Sequence, residues 1–230
     1  MRYEKIVSGR FIERPNRFIA IVEIDGQVHK CHVKNTGRCR ELLVSGATVY
    51  LEPSDNPARA TAYSLIAVEK NGMIINMDSQ VPNKVVMEYI NAGRLFENVV
   101  NCRGEVVYGK SRLDVYAEYE AEGQVRQALI EVKGVTLEDN GVVRFPDAPT
   151  VRGTRHIYEL IEAAKEGYEA YIFFVIQLQN AKYFSPNSAT DPEFAQALKE
   201  ATQNNVKIIA CDCVVTSDSI VIDREVEVRL

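Results

Sequence analysis

The most informative stretch of the chain is residues 111–133, SRLDVYAEYEAEGQVRQALIEVK, in which two runs of alternating apolar and polar residues flank a turn. Alternation with a period of two is typical of half-buried β-strands, and Glu122-Gly123 between the runs fits a two-residue hairpin turn. If these two residues form the turn, Asp114 lies directly opposite Glu131. The pattern then predicts an apolar face (Leu113, Val115, Ile130 and Val132) and a second face that gathers Asp114, Glu131 and Lys133.

This second face has the composition of a metal site. Two carboxylates that face each other across a strand pair repel, and a bound cation removes the repulsion. Because Mg²⁺ is held by one or two carboxylates, with water and phosphate oxygens as further ligands, we expect Mg²⁺ (or Mn²⁺) at Asp114 and Glu131. Lys133 would stabilise phosphate charge, and Glu105 on the preceding segment is a candidate additional ligand. The alternative is a solvated strand face with a weak surface ion pair.

The rest of the chain divides near residue 80 into two predicted domains. Residues 1–80 contain short strand patterns at 18–24, 28–33, 47–51 and 62–68 with a short helix at 38–44, which suggests an OB-like β-barrel. Residues 81–230 alternate between strands and helices, so the predicted fold class is α+β with an α/β second domain. Its helices are expected near 85–96, 152–166 and 192–203, and its strands at 99–108, 112–119, 127–133, 170–177 and 206–213.

The composition is that of a soluble globular protein, with 46% apolar and 26% charged residues. Its 5 cysteines are irregularly spaced, which favours reduced thiols over a disulfide framework. No apolar run follows the N-terminus or is long enough to span a bilayer, so we expect a cytoplasmic protein without membrane association. The net charge is −5, but residues 1–46 carry nine Lys and Arg against five acids, which allows a basic surface on the first domain.

Candidate nucleic-acid contacts come from both predicted domains. Arg152, Arg155 and His156 lie at the start of a predicted helix, where backbone N–H groups attract phosphate, and Arg152 and His156 share one face. The alternative there is a capped helix with solvated arginines and a half-buried histidine. In the first domain the candidates are Arg14, Arg17, Lys34, Arg38 and Arg40, while Tyr3, Phe11 and Phe18 either stack on bases or belong to the core.

Three other patterns predict no site. Residues 104–111 match GxxxxGK[ST], but a phosphate loop needs small residues followed by a helix, whereas these residues and those that follow favour strands. A zinc ion shared by His29, Cys31, His32 and Cys39 would require a bulge in the strand. The absence of GxSxG and the presence of only 3 histidines argue against a serine hydrolase.

The chain resembles the sugar fermentation stimulation protein A family over essentially its whole length. Within it, Asp114 and Glu131-Val132-Lys133 are similar to the catalytic core of PD-(D/E)xK nucleases. The stretches that carry the family resemblance are Asn35-Thr36-Gly37, Ser111-Arg112-Leu113-Asp114, residues 130–137, residues 145–150, residues 152–156 and Glu159-Leu160.

The resemblance implies an N-terminal OB-like domain, a C-terminal PD-(D/E)xK restriction-endonuclease-like α/β domain, DNA binding and a link to sugar-metabolism regulation. It also implies that Asp114 and Glu131 hold the metal ion, that Lys133 assists catalysis and that Glu105 takes an auxiliary acidic position. We therefore expect a Mg²⁺-dependent endo- or exonuclease that acts on DNA. Two alternatives stay open: a non-catalytic DNA-binding regulator of sugar metabolism, and a barrel that binds a sugar or nucleotide. The strandedness of the DNA and a homodimer also stay open.

Overall fold

A computed structural model describes residues 1–35, 37–109 and 111–230. Thr36 of the Asn35-Thr36-Gly37 match and Lys110 of the phosphate-loop pattern lie outside these residues. The chain forms a β-barrel followed by a mixed sheet with helices on both faces. The predicted α+β fold class, with an OB-like barrel and an α/β domain, is confirmed. No helix in the described part of the chain is both long and apolar enough to traverse a lipid bilayer.

The first domain is a closed barrel of five strands, extended by a sixth. The hairpin turn Asp25-Gly26 has positive φ at both residues (49° and 77°), as a type I′ turn requires. Parallel pairing of the third and fifth strands, at His32–Ser64 and Val33–Leu65, closes the barrel and so removes the exposed sheet edges. The six strands are β1 (Val7–Asn16), β2 (Ile19–Ile24), β3 (Gln27–Val33), β4 (Thr48–Pro53), β5 (Tyr63–Lys70) and β6 (Met73–Asn76).

The strands of the second domain are β7 (Val99–Tyr108), β8 (Ser111–Ala121), β9 (Gln124–Val135), β10 (Leu137–Asp139), β11 (Val142–Phe145), β12 (Glu169–Ile176), β13 (Tyr183–Pro186), β14 (Val206–Val215) and β15 (Ile220–Glu225). Six of them form a mixed sheet in the order β15-β14-β12-β9-β8-β7, and β10, β11 and β13 form a small sheet beside it. Strands β9, β12 and β14 are parallel. The central strand, β12, is apolar at all but its first residue, which fits a parallel sheet that is covered on both faces.

Three helices cover this sheet, with one on one face and two on the other. Helix α1 (Val81–Asn91) packs against the face that carries Val115 and Ile130. Helices α2 (Val151–Lys165) and α3 (Pro192–Gln203) pack together on the opposite face. Thr150 and Asp191 cap α2 and α3 through their side-chain oxygens, which explains why both helices begin close to their predicted starts.

Several local predictions differ from the structure. The expected helix at 38–44 is a single turn, with Leu43 N–H bonded to the Cys39 carbonyl, because Cys39 has a positive φ of 46°. Helix α1 ends at Asn91 rather than near 96, since Gly93 (φ 71°) forms a Schellman cap in which Arg94 N–H reaches the Tyr89 carbonyl. Strands β1, β6, β10, β11, β13 and β15 were not predicted.

The phosphate-loop pattern lies within a strand pair. Its residues from Gly104 to Tyr108 belong to β7, and Ser111 begins β8. A strand therefore follows the pattern, as its alternating sequence predicts, in place of the helix that a phosphate loop needs.

Candidate active site

Asp114 and Glu131 lie on the two strands of the β8–β9 hairpin, at the end away from its turn. Its turn is Glu122-Gly123, with positive φ at both residues (53° and 76°), as a type I′ turn requires. The predicted register holds from Ala121–Gln124 to Val115–Ile130, one position before Asp114 and Glu131. Beyond that pair, the Asp114 carboxylate accepts a hydrogen bond from Val132 N–H at 2.9 Å. Both acids line a cleft of about 290 Å³.

The prediction that Leu113 and Val115 share a face is wrong. Leu113 packs with Leu129 in the cluster on the α2 side of the sheet, whereas Val115 packs with Ile130 on the α1 side. Leu113 and Val115, the neighbours of Asp114 in the chain, thus face opposite sides of the sheet. In a regular strand they would share one face, so the alternation of β8 is interrupted at Asp114. This irregularity lies at the position whose side chain bonds to the neighbouring backbone.

Glu131 is only 2% exposed and is held by two donors. Its Oε1 accepts hydrogen bonds from Lys133 Nζ and from the His156 ring at Nδ1. Burial alone would raise the pKa of Glu131, but the His156 hydrogen bond and the Lys133 charge outweigh it and lower the pKa. The second oxygen, Oε2, is buried and has no hydrogen-bond partner among the residues that the structure describes.

Asp114 has the opposite electrostatic environment. Its burial raises its pKa most, followed by the charge of Glu131, while Lys133 and two hydrogen bonds act in the other direction. Those bonds come from Val132 N–H and from Asn83 Nδ2, the latter at 3.0 Å. The charge of Glu131 therefore raises the pKa of Asp114, and both carboxylates lie beside the same cleft.

The start of α2 brings His156 to the acids. His156 is 2% exposed, so it is not a surface phosphate contact, and its ring lies between Glu131 and Arg152, whose Nε is 3.4 Å from His156 Nε2. Arg152 itself lines the cleft and is exposed, while Arg155 is exposed but lies outside the cleft lining. Of the three candidates on α2, the structure brings His156 and Arg152 to the acids.

The barrel arginines line a second, larger cleft of about 620 Å³ between the barrel and the segment before α2. Phe145 and Thr150 line both clefts, so the two adjoin. The arginine side chains at the larger cleft belong to Arg14, Arg17, Arg38 and Arg40, and its one acid is Asp147.

Two of the predicted basic residues are engaged inside the protein. The Arg14 guanidinium donates to the backbone carbonyls of Arg17, Asn35, Gly37 and Arg38, at 2.7–2.9 Å. Lys34 pairs with Glu52 at 3.2 Å and with the buried Asp78 at 2.9 Å. By contrast, within the described ranges Arg17, Arg38 and Arg40 are exposed and form no ion pair.

Each of the two domains matches a model of a known protein family. Residues 12–77 match the family model described as the SfsA N-terminal OB domain, and residues 80–219 match the sugar fermentation stimulation protein RE domain. The chain belongs to the sugar fermentation stimulation protein family. Its relatives include the homologues of Clostridium beijerinckii, 54% identical, and Ruminiclostridium cellulolyticum, 53% identical, each over 100% of both chains.

A solved structure of the same family has the same overall fold. SfsA of Pyrococcus furiosus, solved in complex with Ca²⁺, is 31% identical and superposes with a TM-score of 0.89. The match covers 100% of this chain and 98% of that one. The two-domain arrangement is therefore shared across the length of both proteins.

In this member of the family, the acids fit a divalent cation. Asp114 and Glu131 are hard oxygen donors, and the buried Oε2 of Glu131 lacks a hydrogen-bond partner within the described residues. In residues 1–35, 37–109 and 111–230, no three His, Cys, Asp or Glu side chains converge as a ready-made metal site. The ion would therefore take two carboxylates from the protein and its other ligands from water and phosphate, as Mg²⁺ commonly does.

Glu105 is not placed with the other acids. It lies on β7 with a positive φ of 59°, is exposed, and forms an ion pair with Arg112 at 3.4 Å. The structure instead contributes Asn83 from α1 and Thr150 from the start of α2 to the cleft. Asn83 has no motif that marks it in the sequence, whereas Thr150 ends the Phe145–Thr150 stretch that carries the family resemblance.

Proposed function

We propose that the chain is a metal-dependent phosphodiesterase that acts on DNA, with its reaction centre at Asp114, Glu131 and Lys133. The observation that carries this proposal is that Asp114 and Glu131 line one open cleft, while Oε2 of Glu131 is buried and has no hydrogen-bond partner among the described residues. Leaving a buried carboxylate oxygen unpaired costs free energy, and a bound cation would recover it. The Ca²⁺ complex of Pyrococcus furiosus SfsA supports a divalent cation by analogy, since Ca²⁺ and Mg²⁺ both bind oxygen ligands.

Each residue has a distinct role in this proposal. Asp114 and Glu131 would hold Mg²⁺ or Mn²⁺, which when bound supplies Lewis-acid stabilisation of the scissile phosphate and acidifies an attacking water. Lys133 lines the cleft with its side chain 15% exposed, where its ammonium group would stabilise negative charge on the phosphate. Hydrogen bonds from Val132 N–H and Asn83 hold Asp114 in place.

The larger cleft would hold the nucleic-acid backbone. Arg17, Arg38 and Arg40 are exposed, and each lines this cleft, which adjoins the acids through Phe145 and Thr150. Arginines without internal partners are suited to phosphate contacts, and such contacts position a strand without reading its sequence. Arg152, which lines the smaller cleft, would contact a phosphate next to the reaction centre.

Phe18 suggests that the barrel binds unpaired bases. It is 50% exposed at the turn between β1 and β2, and the Arg17 guanidinium lies 5.8 Å from its ring centre. Tyr3 and Phe11 are buried, so Phe18 is the exposed member of the three aromatic candidates. An exposed aromatic ring beside an arginine is a typical stacking platform for single-stranded nucleic acid.

The test is cleavage of labelled single- and double-stranded DNA with Mg²⁺ or Mn²⁺ present. We expect cleavage by the wild-type protein, its loss in Glu131→Gln and Asp114→Asn, and its retention in Glu105→Gln. Glu105 is a matched control, because the same charge is removed from the neighbouring strand outside the cleft. A circular single-stranded substrate separates the two modes of attack, since only an endonuclease cuts it.

A different outcome would support the non-catalytic alternative. Salt-sensitive DNA binding without cleavage, unchanged in Glu131→Gln, would indicate a DNA-binding regulator that retains a nuclease fold. Such a result would contradict the phosphodiesterase proposal.

A further inference from the structure

Both nitrogens of the buried His156 ring form hydrogen bonds. Its Nδ1 is bonded to Oε1 of Glu131, a proposed metal ligand, and its Nε2 is 3.4 Å from Nε of Arg152, a proposed phosphate contact. His156 and Arg152 are one helical turn apart on α2, whereas Glu131 comes from the centre of the sheet. The imidazole therefore connects the two parts of the cleft that the reaction would use together.

The chemistry of the two partners determines which ring nitrogen carries the proton. Arginine has only donors, so Nε2 of His156 must accept in the contact with Arg152. In a neutral imidazole the proton then lies on Nδ1, which donates to Glu131 Oε1. Glu131 Oε1 thus receives donors from His156 and Lys133, whereas no described residue bonds to Oε2, which would be the atom that binds a cation.

From these contacts we infer that His156 is a positioning residue that orients Glu131 for a divalent cation and orients Arg152 for phosphate through its other ring nitrogen. The inference rests on the proposed function, because it assigns Glu131 to the cation and Arg152 to the nucleic acid. It differs from a role in phosphate contact, which the burial of His156 rules against. It also differs from simple core filling, because each nitrogen has its own polar partner.

Two amide substitutions, each of which can replace one ring nitrogen, separate the two sides of the ring. In His156→Asn the amide can replace Nδ1 as the donor to Glu131, but it does not reach Arg152. In His156→Gln the longer amide can replace Nε2 as the acceptor for Arg152, but it leaves Glu131 Oε1 without that donor. His156→Ala removes both hydrogen bonds. Arg155→Ala is a matched control, because Arg155 is an exposed neighbour outside the cleft lining.

The experiment measures Mn²⁺ affinity by calorimetry without DNA, and DNA affinity without metal. We expect His156→Gln to weaken Mn²⁺ binding by about 10- to 100-fold, as loss of an outer-shell partner usually does, and to keep DNA affinity near wild type. His156→Asn should show the reverse: Mn²⁺ affinity within about threefold of wild type, with DNA affinity reduced to the level of Arg152→Ala. His156→Ala should lose both affinities, and Arg155→Ala should change Mn²⁺ affinity little.

The crossed pattern decides the inference. Equal losses in His156→Asn and His156→Gln, or no loss in either, would overturn it, and unchanged thermal unfolding of the two variants excludes misfolding as the cause. Because metal binding is measured apart from cleavage, a wild-type protein that binds Mn²⁺ but cuts no DNA would contradict the proposed function alone. A wild-type protein that binds no Mn²⁺ would contradict both.

Discussion

Asp191 accepts a hydrogen bond from the backbone N–H of Thr150 at 2.7 Å, while its other carboxylate oxygen caps α3 by accepting from Phe194 N–H. Thr150 in turn caps α2 by accepting from Gly153 N–H at 3.1 Å. One buried carboxylate therefore joins the starts of both helices, and Thr150 lines both clefts. The position of the cleft wall depends on this pair.

Substitution of Asp191 by Ala should destabilise the protein by about 1–3 kcal/mol, because the change removes a helix cap and leaves the Thr150 N–H without its partner. Denaturant unfolding measures this loss. Asp191→Asn is the matched control, since its amide oxygen still caps α3 and its cost should be smaller. Equal stability of Asp191→Ala and wild type would contradict the role assigned to this side chain.

Gly134, next to Lys133 on β9, should not tolerate a side chain. A Cβ there would lie 2.4 Å from Gln177 Oε1 and 2.9 Å from Pro82 Cγ. We expect Gly134→Ala to cost about 1–3 kcal/mol in the free energy of unfolding through this overpacking. Gly104→Ala on β7 is the control, because its nearest neighbour is Met87 Sδ at 3.5 Å. If both variants unfold at the same denaturant concentration, the close packing at Gly134 does not contribute to the free energy of unfolding, which would contradict this prediction.

The stability of the second domain should depend on pH through Glu169. Burial raises its pKa, but hydrogen bonds from Tyr119, Lys207, Tyr171 and Arg126 outweigh burial and lower the pKa to about 2. A carboxyl whose pKa is lower in the folded state stabilises the fold above its unfolded-state pKa and loses that contribution as the pH falls towards 2.

The test compares Glu169→Gln with wild type by denaturant unfolding at a series of pH values. The variant should be less stable at neutral pH, and the difference should shrink as the pH falls below about 4.5. Glu122→Gln removes the other partner of Arg126, at 2.6 Å but 83% exposed, and should change stability little. A stability difference for Glu169→Gln that is independent of pH would contradict this assignment.

Phe18 should contribute to single-strand binding more than to duplex binding. Loss of one stacked base contact costs about 1–3 kcal/mol, so Phe18→Ala should weaken single-stranded DNA binding by about 5- to 150-fold, with a smaller effect on duplex DNA. Val28→Ala removes an exposed apolar side chain from β3 of the same barrel and should have little effect. Fluorescence anisotropy at fixed salt measures both affinities, and equal losses for the two DNA forms would exclude stacking on Phe18.

Much of the second domain could be predicted from the sequence because the signals are local. The turn Glu122-Gly123 and the alternation on either side predict the β8–β9 register, which the structure follows from Ala121–Gln124 to Val115–Ile130, one position short of Asp114 and Glu131. Cap residues Thr150 and Asp191 mark the starts of α2 and α3. In each case, neighbouring residues along the chain set the backbone geometry.

Only the tertiary structure determined which partners the polar side chains take. The sequence marks Arg14, Lys34 and His156 as basic groups suited to phosphate, but the fold turns Arg14 to backbone carbonyls, Lys34 to Asp78 and His156 to Glu131. These contacts join residues that are distant in the chain, so no periodic pattern in the sequence predicts them. The free energy of burying a polar group without a partner selects such pairs, and it acts only once the chain has folded.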